Sequence, residues 1–530
     1  MLPSLIRKDL ILFFLLIIIA FFSSYHFGFI SINPIDNFTN YNSGFLVKKG
    51  NIPFKDYWVT TGPLLDFIQY FFFKFFGFSW NSYVFHSAFL NSFISCYLYY
   101  CLRKFSLKEE LSFLYSASLA IIFYTQVGTP FVDHHSSIFT ISAMLSFILA
   151  LNFKKEIYWF LIPFFLVMGF LSKQTPAAYM AMLLALLIFY HFAIEKNYRK
   201  FITLSFYSIL LILVVCLTIF LMEIEFLDFY YQYIIFASSV GEARINSDSF
   251  LTPINFSRYF LKFKWLHLSY FALLVVLLKL IYTNRLFWKS KDFISILLLI
   301  FSVYIFIIHQ LLTLNVKFVY FLIPVICGFS HVYLNIFDFK GMKRIKILNL
   351  FILLISVTYY YSSYITKQKF VLFCHDNLKS EIVKTDIIDD KTVFKWISCL
   401  EEDPKVEIKK VSKIINFLNT SIDSQERYIL ITDYQFINSK LLNDNHFQIN
   451  KWYHPGVSYP LSDNEKYDYF KNYVLKKIKL NNINSMIFAY PSQFQNENQQ
   501  FFEEMFVNCI SKKKELLDGI IHSLNIEKCY

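Results

Sequence analysis

Over its first two thirds the chain alternates long apolar runs with short polar breaks, and beyond residue 366 that pattern stops. Apolar stretches lie near 10–30, 81–102, 110–128, 134–153, 157–171, 177–193, 201–222, 264–283, 292–313, 317–336 and 346–366. Each reaches or approaches the roughly 20 residues that a helix needs to cross a bilayer, which predicts about eleven membrane helices. The segment 64–78 is shorter, carries Asp66, Gln69 and Lys74, and ends at a glycine and a phenylalanine. That pattern predicts a helix lying along the membrane surface. The runs 157–171 and 177–193 are divided by Ser172-Lys173-Gln174-Thr175-Pro176. One continuous helix there would be about 57 Å long, so a hairpin with its polar tip at Lys173 is expected. After 366 the apolar residues return only in bursts: helical spacing over 411–418, buried-strand patterns over 428–432 and 485–490, and one or two amphipathic helices over 498–524. The fold class expected is a polytopic α-helical membrane protein with a C-terminal α/β domain, divided as 1–366 and 367–530.

Composition narrows the class. Hydrophobic residues make up 56% of the 530 and charged residues 17%, against about 25% charged in soluble domains. The net charge of +12 does not point to nucleic acid, because the basic residues sit in short clusters between apolar runs. Arg7 with Lys8, Arg103 with Lys104 and Lys108, Lys154 with Lys155, Lys196 with Arg199 and Lys200, Arg285 with Lys289 and Lys291, and Lys340 with Lys343, Arg344 and Lys346 recur at every second break. Placing them all in the cytoplasm satisfies the positive-inside rule, with the N-terminus inside, the tail outside and the first run an uncleaved span. Cys96, Cys101, Cys216 and Cys327 fall in apolar runs; Cys374, Cys399, Cys509 and Cys529 fall in the tail. Sequence proximity favours the pairs 374–399 and 509–529 in an oxidising exterior.

Candidate chemistry gathers where the same parity puts it. A polar island over 33–63 follows the first run and holds Asp36 and Asp56. Two crossings later come Asp133, His134 and His135, and the Ser172-Lys173-Gln174 tip and Asn315-Val316-Lys317 share that face. Carboxylates and an imidazole at one membrane surface can act as a general base or hold a divalent cation, and lysines can hold a phosphate as point charges. The set suits a lipid-phosphate substrate. Plainer roles exist for each: Asp36 as a loop acid, Asp133 as a helix N-cap, Lys173 and Lys317 as residues snorkelling to head groups. His134 and His135 cannot both face one site from a helix.

Asp36, the stretch Gly50-Asn51-Ile52-Pro53-Phe54-Lys55-Asp56-Tyr57 and then Gly62-Pro63-Leu64 together resemble the first exterior loop of the C-superfamily (GT-C) glycosyltransferases, in particular bacterial members similar to protein O-mannosyltransferases and the lipid A aminoarabinose transferase. Val132-Asp133-His134 resembles their second exterior acid, Ser172-Lys173-Gln174 their lysine-bearing loop, and the run from Lys317 to Pro324 their Arg-Tyr…Pro helix, with lysine in place of the commoner arginine. The resemblance covers 1–366. It implies an envelope enzyme of the plasma membrane that moves a sugar from a polyprenyl-phosphate carrier to a hydroxyl of a glycan, lipid or protein acceptor on the exterior face. It implies Asp36 and Asp133 as catalytic, with Asp36 the general base. Asp56, Tyr57, His134, Lys173, Gln174 and Lys317 would bind substrate, and Asp36, Asp133 and His134 could hold a Mg2+ or Mn2+ ion. A lipid or oligosaccharide transporter would need polar residues near the midplane of several spans, where they are scarce. A polysaccharide polymerase or ligase would lean on exterior arginines, of which Arg244 and Arg258 are the few present.

Overall fold

The computed structural model describes residues 2–247, 259–313, 318–337, 342–364, 383–398, 400–401, 403–423, 425–489 and 494–529. Its residues group into two compact units: 1–28, 84–217 and 244–369 in the first, and 29–83, 218–243 and 370–530 in the second. The polar island and the helix after it thus fold with the C-terminal residues, although they come early in the sequence.

The first unit is helical. Among the described residues each of the eleven predicted apolar stretches is at least partly helical, and eight helices are long and apolar enough to cross a membrane. The others are Trp80–Lys104, interrupted by Asn81, His86 and Asn91; Glu109–Ile122, which has 14 residues; and Glu156–Ser172, which has 17. Asn91 shows how polar groups are used inside such a bundle. Its amide donates to Ala20 O at 3.1 Å, to Ser24 Oγ at 2.9 Å and to Ala120 O at 2.8 Å, tying three helices together. The expected hairpin is present as Glu156–Ser172 and Gln174–Glu195, with Lys173 extended between them.

The second unit is built on sheets. A two-stranded sheet pairs β1 (Val383–Thr385) with β2 (Phe394–Trp396) antiparallel. A five-stranded mixed sheet contains β3 (Tyr428–Ile431), β4 (His446–Phe447), β5 (Ser485–Ala489), β6 (Lys512–Leu516) and β7 (Ile521–Asn525) in the order β4-β3-β5-β7-β6. β3 is parallel to both neighbours, and β7 is antiparallel to β5 and β6. Helices Pro404–Thr420, Tyr467–Leu480 and Gln495–Met505 cover the strands. The core joins Ile429, Ile431, Met486, Phe488 and Leu524 to Phe470, Val474 and Phe502. Trp58, from the polar island, is part of that same core: its backbone N–H donates to Ile449 O at 2.7 Å and its ring packs on Phe470.

One expectation for this unit fails. The 498–524 segment is helical only to Met505, and beyond it β6 and β7 form a hairpin. Leu517, Asp518 and Gly519 all have positive φ, the conformation a tight hairpin turn demands, and Asp518-Gly519 is the residue pair that tolerates it. A disulfide joins Cys509 to Cys529 with Cα atoms 5.0 Å apart, as expected. Cys374 and Cys399 lie outside the described residues.

Candidate active site

In the first unit the site is delivered by one tight crossing. Gly128 has φ +72°, and a Cβ there would lie 2.2 Å from the Phe27 carbonyl carbon, so only glycine lets the 123–131 loop pass this close to the first helix. Ser87 Oγ pins the crossing through a 2.8 Å bond to Gly128 O. The loop leads into helix Val132–Phe153, whose N-cap is Phe131. Asp133 is therefore the second helical residue and does not cap the helix, which removes the plainer role considered for it.

Asp133 is buried, with 1% of its side chain exposed. Its Oδ1 meets the Lys173 ammonium at 2.6 Å and the His309 Nε2 at 3.2 Å. Its Oδ2, equally buried, takes no hydrogen bond from a described residue. Lys173 keeps 19% of its side chain exposed. Its loop is fixed by Ser136 Oγ, which donates to Lys173 O at 3.0 Å. His309 Nδ1 lies 3.1 Å from Thr175 Oγ1. Arg244 is within electrostatic reach of the same carboxylate and donates to Leu312 O at 2.9 Å. The arrangement orients one carboxylate oxygen and leaves the other without a hydrogen bond from the described residues, beside a partly exposed cation.

The neighbouring residues divide. His134 is buried against Tyr124, Phe123, Phe318, Phe131 and Phe321, with ring centroids 5.1 to 5.9 Å away. The ring thus packs among aromatic side chains. His135 Nδ1 lies 2.9 Å from Phe131 O, and its Nε2 lies 2.9 Å from His86 Nε2. Gln174 begins helix Gln174–Glu195 and is half-buried. Lys317 lies outside the described residues. No group of three or more His, Cys, Asp or Glu among the described residues is arranged to hold a metal ion.

Asp36 belongs to the second unit. The polar island is not a plain loop: Pro34–Lys48 is a helix, with Asn33 in extended conformation at its N-cap and Pro34 in its first turn. Asp36 sits in that first turn, where the helix dipole favours a carboxylate. Asn33 Nδ2 donates to Asp36 Oδ2 at 3.0 Å, and the carboxylate is half-buried. Asp56 closes a turn by accepting from Ile52 N at 2.8 Å, and it lies 3.6 Å from Lys477 Nζ. Tyr57 is fully buried and donates to Asp66 Oδ2 at 3.1 Å. Burial and the Asp66 charge push its phenol well above the usual tyrosine range.

Sequence reasoning missed His309, Asp66 in its real role, and Lys451. His309 carried a signal, since a histidine inside the apolar helix Lys291–Thr313 marks a site by default. Lys451 Nζ reaches Asp66 Oδ1 at 2.5 Å with both side chains buried, a pairing that no local pattern announces.

Residues 60–222 match the family model described as dolichyl-phosphate-mannose-protein mannosyltransferase. The GT-C resemblance is borne out. The matched stretch takes in Asp133 and Lys173; Asp36 and Asp56 precede it and His309 follows it. Among solved structures the chain is similar to ArnT from Cupriavidus metallidurans bound to undecaprenyl phosphate, at 9% identity and a TM-score of 0.47 over 97% of each chain. A search of the curated proteins found no match.

Proposed function

We propose that this protein is a membrane glycosyltransferase that takes a sugar from a polyprenyl-phosphate carrier and passes it to an acceptor hydroxyl at the exterior face of the plasma membrane. The observation that carries the reading is the buried Asp133 carboxylate, inside the GT-C-type segment, with one oxygen held by Lys173 and His309 and the other unbonded. In this reading the acceptor oxygen forms a bond to the anomeric carbon as the bond from that carbon to the phosphate oxygen breaks. The acceptor proton passes to the Asp36 carboxylate. Positive charge develops on the sugar ring, so a fixed carboxylate helps by charge as well as by accepting the proton. Asp133 orients the donor or acceptor through its unbonded oxygen. Lys173 and Lys317 neutralise the phosphate as it leaves, and Gln174 and Asp56 are assigned to substrate binding. No step is routed through a metal ion.

The membrane location of the donor explains why such residues would sit at helix ends. The basic clusters support a cytoplasmic N-terminus, and the Cys509–Cys529 disulfide supports an oxidising compartment for the tail. The test is transfer by the purified protein in detergent, with a panel of radiolabelled polyprenyl-phosphate sugars and envelope lipids, glycans and peptides as acceptors. Label is expected to leave the polyprenyl carrier with one donor class. Absence of transfer or hydrolysis from every polyprenyl-phosphate donor, by folded protein, would overturn the reading.

A further inference from the structure

The helix that carries Asp36 is fastened along its length by residues that come more than 340 positions later in the chain. At its entry, Ser31 N donates to Lys395 O at 3.0 Å, Ile32 N to Ile397 O at 2.9 Å, and Lys395 N to Phe29 O at 3.1 Å. The strand leading into the helix is thus laid against β2. Two residues after Asp36, the buried Phe38 ring enters an aromatic box. Its centroid lies 4.7 Å from Phe436, 5.9 Å from Tyr434 and 6.0 Å from Trp396, with Trp80 at 5.9 Å. One further turn on, the buried Asn42 amide donates to Gln448 Oε1, and Asn438 Nδ2 donates to Asn42 Oδ1 at 3.4 Å. Ser43 Oγ donates to Asp66 Oδ1 at 2.7 Å, and that carboxylate is held by Lys451. An exposed pair, Lys49 with Asp444, closes the far end and adds little by itself.

Helix propensity does not account for so many attachments. Pro34–Lys48 has three asparagines, a glycine and β-branched residues, so it is a weak helix in isolation. Entry, middle and exit are each set by the C-terminal residues, by backbone pairing, by shape and by buried amides. Buried hydrogen bonds between side chains favour one arrangement, where apolar packing alone tolerates several. The axis and rotation of this helix decide where the Asp36 carboxylate stands.

We propose that the C-terminal domain is a positioning element of the transferase reaction: the surface made by Trp396, Tyr434, Phe436 and Gln448 holds the Asp36 helix in register for proton abstraction. The inference rests on the reading of Asp36 as the general base. The domain is then part of the catalytic apparatus, and its integrity is read in turnover more than in donor affinity.

The test uses the full-length protein and the donor class identified above. Phe436→Ala opens the box under Phe38, and Gln448→Leu removes the amide partner of Asn42 without a large change in volume. Met505→Ala, in the core of the same domain and off this surface, supplies a matched loss of stability. Both surface variants are expected to lose about 10-fold or more in turnover at saturating donor with KM for donor within about twofold, since a small misplacement of a reacting group is that costly. Phe436→Tyr is expected to recover most of the loss, and Met505→Ala to keep its turnover below its own unfolding temperature. Full turnover in folded Phe436→Ala and Gln448→Leu would overturn the proposal, and so would an equal fall in Met505→Ala. If Phe436→Ala does not fold, Gln448→Leu decides. An Asp36→Asn protein with wild-type turnover would instead overturn the reading of Asp36 as base, an outcome separate from these.

Discussion

Two buried carboxylates, each paired with a lysine, are handled in opposite ways by the two units. In the second unit Asp66 spends both oxygens on protein groups: Lys451 and Ser43 on Oδ1, Tyr57 on Oδ2. Both members of its ion pair are closed off, with 0% and 1% of their side chains exposed. In the first unit Asp133 spends one oxygen on Lys173 and His309, its other oxygen takes no hydrogen bond from a described residue, and its lysine retains contact with the surroundings. A buried ion pair with both carboxylate oxygens bonded specifies a fold. One with a buried oxygen left over carries a cost that the free protein does not recover, and a ligand can recover it. The difference separates an acid that holds structure from one available for chemistry, although both look alike in sequence.

The comparison can be broken at the closed pair first. Lys451→Met leaves Asp66 charged and unmatched in the interior, and is expected to destabilise the protein by about 3–5 kcal/mol. Asp66→Leu combined with Lys451→Met should recover most of that loss, read as unfolding midpoints in detergent. Recovery absent in the double variant would mean that the pair does more than match charge.

At the open pair the effect should move from stability to activity. Asp133→Asn is expected to lower transfer by about 10²-fold, with an unfolding midpoint close to the wild type, because an interaction that orients the reacting groups is lost. A midpoint shift as large as that of Lys451→Met would place Asp133 with Asp66 as a structural acid. Lys173→Ala should raise the donor concentration needed for half-maximal rate by about 10-fold, the worth of one charged hydrogen bond, and lower saturated turnover less.

Much of this organisation was legible in the sequence, and the reasons differ by region. The spans showed because a bilayer imposes length and composition on a local stretch, and the hairpin at Lys173 showed because its polar tip interrupts one. Asp133 and Lys173 were legible because both sit at such interruptions. The Asp36 helix was read as a loop because its asparagines and glycine hide the Asn33-Pro34 start signal, and its stability comes from residues far along the chain. Asp66 looked like a polar residue of a surface helix, since the lysine that claims it is 385 positions away. The β6–β7 hairpin was missed because its strands are short and mostly charged on one of them, although Asp518-Gly519 marked the turn.

A third buried acid sharpens the contrast at the smallest scale. Glu407 is met by the hydroxyls of Ser398 and Tyr434 in place of an ammonium, and burial raises its carboxyl above the ordinary glutamate value of 4.5. A carboxyl raised in the folded state stabilises fully below that ordinary value, and its contribution is lost as pH rises toward the folded one. The wild type should therefore lose stability over the pH interval just above 4.5, and Glu407→Gln should lose less. Parallel stability curves for the two proteins would show that Glu407 is as well matched as Asp66.

The central claim is that Asp36 takes the acceptor proton in transfer from a polyprenyl-phosphate donor, and Asp36→Asn tests it most directly. The variant keeps the size of the side chain and an acceptor for the Asn33 amide, so the helix start survives. Purified Asp36→Asn, with native donor and acceptor, is expected to bind donor as the wild type does and to transfer about 10²–10⁴-fold more slowly. Turnover near the wild-type rate, with donor binding intact, would contradict the account.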